Sequence, residues 1–295
     1  MVKRSSASKI KLNQFQDLFG MNESMTEAED LRYIPLSELH TFRNHPFQVR
    51  WDARMEELIA SIKENGVLVP GVARIRPQGG YEIIAGHSRK FACEQAGLSE
   101  MPMFIRNVSD DDAIVMMVDS NIQREDILPS EKAWAYKMKY DAIKHQGKKG
   151  NSLKLLEESS GDKGKTIQRY IWLTNLIENL LHMVDRGRIG FVVGVRLSEL
   201  KKDDQQVLDK YLTENEKQKI SVKQAGDIVK AGKKANLTEE ILKDILRKEV
   251  KQQQRMLTLS LERMSEFFPE NVSEAQMEEV ILNLLEEWKK RGGAE

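Results

Sequence analysis

The sequence lacks the features that mark an extracellular, metal-binding or membrane protein. It contains a single cysteine, Cys93, so the chain cannot build a disulfide framework, and a reducing compartment is expected. Its five histidines are scattered without the spacing of metal ligands. No apolar run approaches the ~20 residues that cross a membrane, and no hydrophobic signal segment follows Met1. We therefore expect a soluble cytoplasmic protein without membrane association.

The chain also lacks net charge, although charged residues are abundant. Its 46 lysines and arginines balance 46 aspartates and glutamates, and charged residues make up 31% of the 295 positions. Such a balance conceals local blocks of one sign, and the block from Lys144 to Arg169 is net basic. A surface that binds a polyanion is therefore expected in one segment rather than over the whole molecule.

Hydrophobic spacing and composition predict an α+β protein of four segments. Residues 1–30 are expected to form a flexible basic arm. The pattern of residues 31–126 alternates short strands and helices, which indicates a small α/β domain. Residues 127–235 predict an all-helical domain with a helix-turn-helix. Residues 236–295 predict C-terminal helices, which we assign to dimerisation.

Turn residues and apolar spacing predict the elements of the α/β segment. Strands are expected over Arg32–Leu36, Val72–Arg76, Tyr81–Ala85 and Met103–Asn107, the second and third forming a hairpin. Helices are expected around Met55–Asn65, over Ser88–Ala96, and over Ala113–Ser120 with Asp110–Asp112 as the N-cap. Cys93 lies within the second of these helices and is expected to fill the core.

An apolar stripe marks the end of the chain. It consists of Met277, Val280, Ile281, Leu284, Leu285 and Trp288, spaced as one face of a helix. A stripe of this strength is expected to be buried, either within its own domain or against a second subunit. Self-association is the favoured hypothesis, and internal packing is the alternative.

The stretch after the predicted hairpin is suited to binding a phosphate. An apolar run ends at Gly86, where a polar helix begins, so free backbone N–H groups, the Ser88 hydroxyl and the Arg89 guanidinium lie at one positive helix end. Gly86 permits close backbone approach, and Lys90 adds a second cation. The loop is not a Walker A motif, because the chain has no GxxxxGK(S/T). These residues alone are better explained by ordinary helix capping.

A second segment makes a phosphate site more plausible than capping alone. Asn121–Arg124 places two amides and an arginine where a helix ends, and it also has a plain capping explanation. Together, however, GHSRKFA (Gly86–Ala92) and NIQRED (Asn121–Asp126) resemble the GERRxRA and ENxQRED boxes of the ParB partition-protein family. HPFQVR (His45–Arg50) and GVLVPG (Gly66–Gly71) stand where that family carries its NPxQPR-like and GxxQP segments.

The resemblance implies a CTP site with Mg²⁺, in a fold that the family shares with sulfiredoxin. In this family CTP closes a dimer into a clamp that slides on DNA, and slow hydrolysis to CDP reopens it. Asn121 would help to hold the metal or the phosphates. The implied cofactor-binding residues are Gly66, Gly86, His87, Ser88, Arg89, Lys90, Asn121, Gln123 and Arg124.

At four positions the sequence differs from the family pattern, and these differences bear on nucleotide hydrolysis. Val69 replaces the glutamine of the first box, His87 and Ser88 replace Glu-Arg, and Ser120 replaces the glutamate before Asn121. The site thereby loses two carboxylates that could bind Mg²⁺ or position water, which leaves weak CTP hydrolysis open. His87 also occupies the place of the reactive cysteine of sulfiredoxin, which argues against that activity.

The basic block carries a helix-turn-helix pattern. GKTIQRYIWL (Gly164–Leu173) resembles the second helix of the ParB helix-turn-helix, in which Trp172 replaces the usual arginine. The apolar residues Ile167, Tyr170, Ile171 and Leu173 are assigned to packing. The expected DNA-binding residues are Lys148, Lys149, Lys163, Lys165, Thr166, Gln168 and Arg169.

The resemblance thus implies a site-specific DNA-binding protein of plasmid, mobile-element or chromosome partition. It is expected to be a nucleoid-associated homodimer that contacts a ParA-type ATPase through the arm. One alternative is a plain transcriptional regulator whose α/β domain binds no nucleotide. Another is a nuclease or kinase on the same fold.

Overall fold

A mixed sheet opens the part of the chain that the computed structural model describes, namely residues 30–124, 126–147, 152–247, 267–269 and 272–291. Its strands are β1 (Asp30–Pro35), β2 (Leu39–His40), β3 (Gly71–Ile75), β4 (Tyr81–Ala85) and β5 (Glu100–Ile105). Their order across the sheet is β1-β5-β3-β4-β2. Strands β3 and β4 form the predicted antiparallel hairpin, while β3 pairs in parallel with β5.

The first and last residues predicted for the last strand were both wrong. We expected Met103–Asn107, but β5 begins at Glu100 and ends at Ile105. The reason is its pairing with β1, in which Pro35 lies opposite Glu100 and Asp30 lies opposite Ile105. Pairing with a distant strand decides these ends, and local turn signals do not report it.

Three helices accompany the sheet: α1 (Ala53–Asn65), α2 (His87–Ala96) and α3 (Asp110–Asp119). The predicted cap of α3 was also wrong, because Ser109 occupies the N-cap and its hydroxyl accepts a hydrogen bond from the Asp112 N–H (3.2 Å). Asp110–Asp112 instead form the first turn, where their negative charge suits the helix dipole. Cys93 of α2 is fully buried, as predicted, and burial raises the pKa of its thiol.

Helices dominate the chain beyond Pro129. The described residues up to Arg247 contain α4 (Pro129–His145), α5 (Ser152–Ser160), α6 (Gly164–Leu173), α7 (Glu178–Asp185), α8 (Phe191–Leu197), α9 (Lys202–Glu214), α10 (Val222–Lys234) and α11 (Glu239–Arg247). The pair α5–α6 is the predicted helix-turn-helix. Its turn begins at Gly161, whose φ of +75° lies in the left-handed region that favours glycine. An α+β fold is therefore confirmed.

One hydrophobic cluster joins the sheet to the helix-turn-helix. It contains Ile84 of β4, Met117 of α3, Tyr136 of α4, Leu156 of α5 and Ile167 of α6, all buried. A second cluster lies between the sheet, α1 and α2, and a third fills the space among α6–α11. Because the first cluster contains residues of both the sheet and the helix-turn-helix, the helix-turn-helix packs directly onto the α/β portion.

The chain divides into two compact units, up to Arg247 and from Lys248 onward. In the second unit the apolar stripe lies on α12 (Glu274–Lys290), and its Val280, Leu284, Leu285 and Trp288 are 43–61% exposed. We expected this stripe to be buried, and within the described residues these four side chains are not. None of the described helices is both long and apolar enough to span a membrane.

Candidate functional site

The strand-to-helix turn after β4 has the geometry of an anion site. Gly86 ends the strand with a φ of +115° and serves as the N-cap of α2. A Cβ atom there would lie 3.2 Å from Gly71 Cα, so the close approach of the two backbones requires glycine. Among the described residues no side chain caps this helix start, which leaves its first N–H groups available for a ligand.

A cleft of about 340 Å³ opens at this turn. Its walls come from the loop His45–Val49, from Val69, from the turn Ala85–Arg89, and from the end of α3. The structure thus brings together six of the nine cofactor-binding residues that the resemblance implied: Gly86, His87, Ser88, Arg89, Asn121 and Arg124. A volume of this size falls at the lower end of the range for small-molecule sites.

The other three implied residues do not line the cleft. Gly66 ends α1 as its C-cap, and Lys90 forms an ion pair with Glu94 (2.5 Å) one turn along α2. Gln123 donates a hydrogen bond from Nε2 to the carbonyl oxygen of Ser160 in the helix-turn-helix (3.2 Å).

Arg89 is held in place by backbone oxygens. Its Nη1 donates to the carbonyl oxygens of Val69 and Pro70, each at 2.6 Å. Burial lowers its pKa, yet a guanidinium stays charged in proteins. A Cβ atom on Gly86 would lie 3.6 Å from Arg89 Nη2, so this fixed positive charge lies directly at the glycine turn.

Two neutral histidines form one wall of the cleft. The rings of His45 and His87 lie 3.8 Å apart, and His87 Nε2 accepts a hydrogen bond from the Phe42 N–H (3.4 Å). Burial, and then the charges of His45 and Lys90, lower the pKa of His87 to about 3. Burial also lowers the pKa of His45. Both rings are therefore uncharged at neutral pH.

His45 carries the clearest unmet hydrogen-bonding capacity in this wall. Its Nδ1 lies 2.7 Å from the carbonyl oxygen of Phe47, which makes Nδ1 the donor of the neutral ring. Its Nε2 is then an acceptor that is buried without a partner among the described residues. The sequence interpretation included His45 in a matching segment but did not assign it to the site.

A buried carboxylate that the sequence interpretation missed anchors the cleft loop. Glu131 of α4 is 5% exposed, and its Oε1 accepts from the Gln48 N–H (2.9 Å) and from Arg50 Nη2 (2.8 Å). Its Oε2 accepts from the Leu128 N–H (3.0 Å) at the start of α4. The loop that forms one wall of the cleft is thereby fastened to the first turn of α4.

The end of α3 presents an amide oxygen to the cleft and connects it to the helix-turn-helix. Asn121 Nδ2 donates to the carbonyl oxygen of Met117 (2.9 Å) and to Ser120 Oγ (3.1 Å), and among the described residues no group donates to its Oδ1. No carboxylate lies among the described residues that line the cleft. Likewise, no cluster of three or more histidine, cysteine or acidic residues suited to a metal occurs in the described ranges.

Polar contacts also fix the turn of the helix-turn-helix. Asp162 accepts from Tyr136 Oη (2.5 Å) and Lys132 Nζ (2.6 Å), and Lys139 Nζ donates to Ser159 Oγ (2.7 Å). Burial acts to raise the pKa of Asp162, but the bonds from Lys132 and Tyr136 outweigh it, so this pKa is lowered. The turn that positions α6 is therefore rigidly attached to α4.

Helix α6 presents cations outward and apolar residues inward. Lys163, Lys165 and Arg169 are exposed, and in the described part of the chain no carboxylate forms an ion pair with them. Thr166 and Gln168 are half-buried. As predicted, the packing face contains the fully buried residues Ile167 and Leu173 and the half-buried residues Tyr170 and Ile171. Lys148 and Lys149 lie outside the described residues.

In the described part of the chain, a glycine-turn cleft on a mixed sheet is followed by a helix-turn-helix whose exposed cations have no carboxylate partner. The sequence model of the ParB N-terminal domain matches residues 20–122. The chromosome-partitioning protein ParB of Myxococcus xanthus is 30% identical over 207 residues, which is 68% of this chain and 67% of that protein. The chain belongs to the ParB family.

A second relative is more similar in sequence, but over a shorter stretch. A probable chromosome-partitioning protein ParB of Vibrio cholerae is 40% identical over 120 residues, and the match spans 41% of each chain. The chain thus matches only about two fifths of the length of this relative.

Two crystal structures of the C-terminally truncated ParB of Caulobacter crescentus are also similar. The complex with the centromeric parS site has 21% identity and a TM-score of 0.42, covering 69% of this chain and 100% of that one. The complex with CTP-γ-S has 23% identity and a TM-score of 0.30, covering 62% and 99%.

Proposed function

We propose that this ParB-family protein binds CTP in the cleft and a specific double-stranded DNA site through α6, as a CTP-dependent dimeric clamp in DNA partition. The observation that carries the proposal is the convergence of Gly86, Ser88 and Arg89 with Asn121 and Arg124 in one cleft. These residues come from two sequence segments that are separated by the rest of α2, β5 and α3. Their chemistry is that of a polyphosphate site.

In this proposal the uncapped helix start and Arg89 hold the triphosphate, with Ser88 and Arg124 as further donors. Mg²⁺, when bound with the nucleotide, would neutralise phosphate charge, and Asn121 Oδ1 offers it a protein oxygen. None of the described residues that line the cleft is a carboxylate, so no described side chain there supplies a strong base toward water. Weak hydrolysis of CTP to CDP is the most that we propose.

The proposed DNA contact rests on the available cations of α6. Lys163, Lys165 and Arg169 would neutralise phosphates or, for Arg169, donate two hydrogen bonds to a guanine edge. Thr166 and Gln168 lie on the same helix and supply neutral donors and acceptors. We place Lys148 and Lys149, in the preceding basic segment, at the flanking phosphates.

The two sites are joined by short polar connections. Gln123, just beyond Asn121, bonds to Ser160 in the helix-turn-helix, and Glu131 fastens the cleft loop to α4. We propose that nucleotide binding changes these contacts and thereby the DNA-bound state. Dimerisation through α12 and contact of the N-terminal arm with a ParA-type ATPase at the nucleoid complete the proposal.

The nucleotide part is tested by calorimetric titration of the full chain with CTP, and with ATP, GTP and UTP as controls. We expect binding selective for CTP, and its loss in Arg89→Ala. Lys90→Ala is the matched control, because Lys90 is a cation of the same helix that does not line the cleft. If no nucleotide binds while DNA is still bound, the clamp proposal is wrong and a plain DNA-binding regulator remains.

The DNA part is tested by selecting bound duplexes from a random-sequence pool, with and without CTP. We expect enrichment of one site by the wild type and no enrichment by a Lys165→Ala, Arg169→Ala double variant. Equal recovery of all sequences by both proteins would contradict site-specific binding through α6.

A further inference from the structure

One exposed aromatic side chain lies on the same face of α6 as its cations. The side chains of α6 that are exposed are Lys165, Arg169 and Trp172, four and then three residues apart. This spacing aligns them along a single face of a helix. The Trp172 side chain is 47% exposed, although tryptophan is usually well buried.

Packing within the chain does not explain this position. Ile167, on the opposite side of α6, and Leu173, at its last position, are fully buried and already anchor the helix. In the described part of the chain the Trp172 indole Nε1–H donates no hydrogen bond, and its ring pairs with no other aromatic ring or cation. By contrast, Tyr170 of the same helix pairs with Tyr136 and Phe191.

The charge around Trp172 favours a nucleic acid over a protein or a lipid as the group that covers it. Lys165 and Arg169 on this face have no carboxylate partner among the described residues, so a polyanion is the complementary surface. Recognition helices contact base edges with their N-terminal residues. Trp172 lies in the last turn, seven residues and roughly 10 Å beyond Lys165, at the end of the helix where a recognition helix leaves the groove and approaches the sugar-phosphate backbone.

We propose that Trp172 is an uncharged contact to the DNA backbone, packing its ring on a deoxyribose and donating Nε1–H to a phosphate oxygen. This inference rests on the proposed DNA binding by α6. A neutral donor releases no counterion, so its contribution to affinity is insensitive to salt, unlike that of Lys165.

The test uses the full chain and a short labelled duplex of arbitrary sequence, because a backbone contact does not depend on sequence. Affinity is measured between about 50 and 200 mM salt. We expect Trp172→Ala to weaken binding by roughly three- to tenfold at every salt concentration with an unchanged salt slope. Trp172→Phe should show an intermediate loss, and Trp172→Arg should steepen the slope by about one.

Trp134 of α4 supplies the matched control, because it is 46% exposed on a neighbouring helix, and Trp134→Ala should bind DNA as the wild type does. Wild-type affinity in Trp172→Ala, together with weakened binding in Lys165→Ala, would overturn this inference and leave the DNA interface standing. If the wild type binds no duplex, or if Lys165→Ala has no effect, the proposed interface itself fails. DNA quenching of tryptophan fluorescence that disappears in Trp172→Phe would support the contact independently.

Discussion

Arg89 of the cleft and the cations of α6 are held in opposite ways. In the cleft, Arg89 donates to two backbone carbonyls, and Arg50, which follows the cleft residue Val49 in the chain, is paired with Glu131. On α6, Lys165 and Arg169 are exposed without a carboxylate partner in the described residues. The first arrangement fixes donors in space before a ligand arrives, whereas the second leaves long side chains free to adjust.

This difference matches the two kinds of ligand that we propose. A small polyphosphate gains affinity from preorganised donors, because fewer side chains lose freedom when it binds. A DNA duplex presents a regular array of phosphates, where affinity comes from counterion release and tolerates side-chain adjustment. The cleft is therefore expected to be sensitive to small changes of shape, and α6 mainly to changes of charge.

The largest expected effect concerns the shape of the cleft. Gly86→Val combines a φ of +115° with a Cβ atom 3.2 Å from Gly71 Cα, so we expect a loss of about 3–5 kcal/mol in the free energy of unfolding. Urea denaturation measures this loss. Gly97→Ala is the control, because its φ is +80° but nothing lies within 4 Å of the added Cβ, and about 1 kcal/mol is expected. Equal losses would show that contact with Gly71 is unimportant.

The next effect concerns the anchor of the cleft loop. Glu131→Ala removes the acceptor for the N–H groups of Gln48 and Leu128 and leaves Arg50 without its carboxylate. We expect a loss of about 2–3 kcal/mol in the free energy of unfolding, discounted because Arg50 is partly exposed. Nucleotide affinity should fall with it, while the salt slope of DNA binding should not change. A change in that slope alone would contradict the anchoring role.

The neutral histidines predict a pH dependence of stability. Burial, and then the charges of His45 and Lys90, lower the pKa of His87 from 6.5 to about 3. Between pH 3 and pH 6.5 the unfolded state therefore binds a proton at His87 that the folded state does not bind. Stability is therefore complete above pH 6.5 and falls as the pH decreases, by about 1–2 kcal/mol from pH 7 to pH 5. Denaturation at both pH values should show a smaller decrease in His87→Gln, whose amide can still accept from Phe42. An identical decrease would exclude His87 as the cause.

The smallest expected effect concerns one charge of α6. Lys165→Ala should reduce the salt slope of DNA binding by about 0.9 and leave the free energy of unfolding nearly unchanged, because the side chain is exposed and unpaired among the described residues. Affinity for a duplex as a function of salt measures the slope. Lys90→Ala, which removes a cation that is already paired with Glu94, should leave the slope unchanged.

Local signals in the sequence were sufficient for several elements of the fold. The hairpin β3–β4, the glycine turn into α2 and the helix-turn-helix each depend on residues close in the chain, so apolar spacing and turn chemistry predict them. The two segments of the site, which contain Gly86 and Asn121, were assigned through the resemblance to the ParB family, because each has a plain capping explanation by itself. The domain boundaries and the roles of the site residues stay predictions.

Contacts between distant segments were decided only by the tertiary structure. Glu131 follows Gln48 by 83 residues, and no local pattern tells a helix-capping glutamate from one that also fastens a remote loop. The buried acceptor of His45 and the exclusion of Gly66 and Lys90 from the cleft depend on the same three-dimensional packing. The sequence alone determined which residue types were available near each turn. Their burial, pairing and pKa values depended on which segments the fold placed beside them, because electrostatic and hydrogen-bonding energies depend on distance in space and not on separation along the chain.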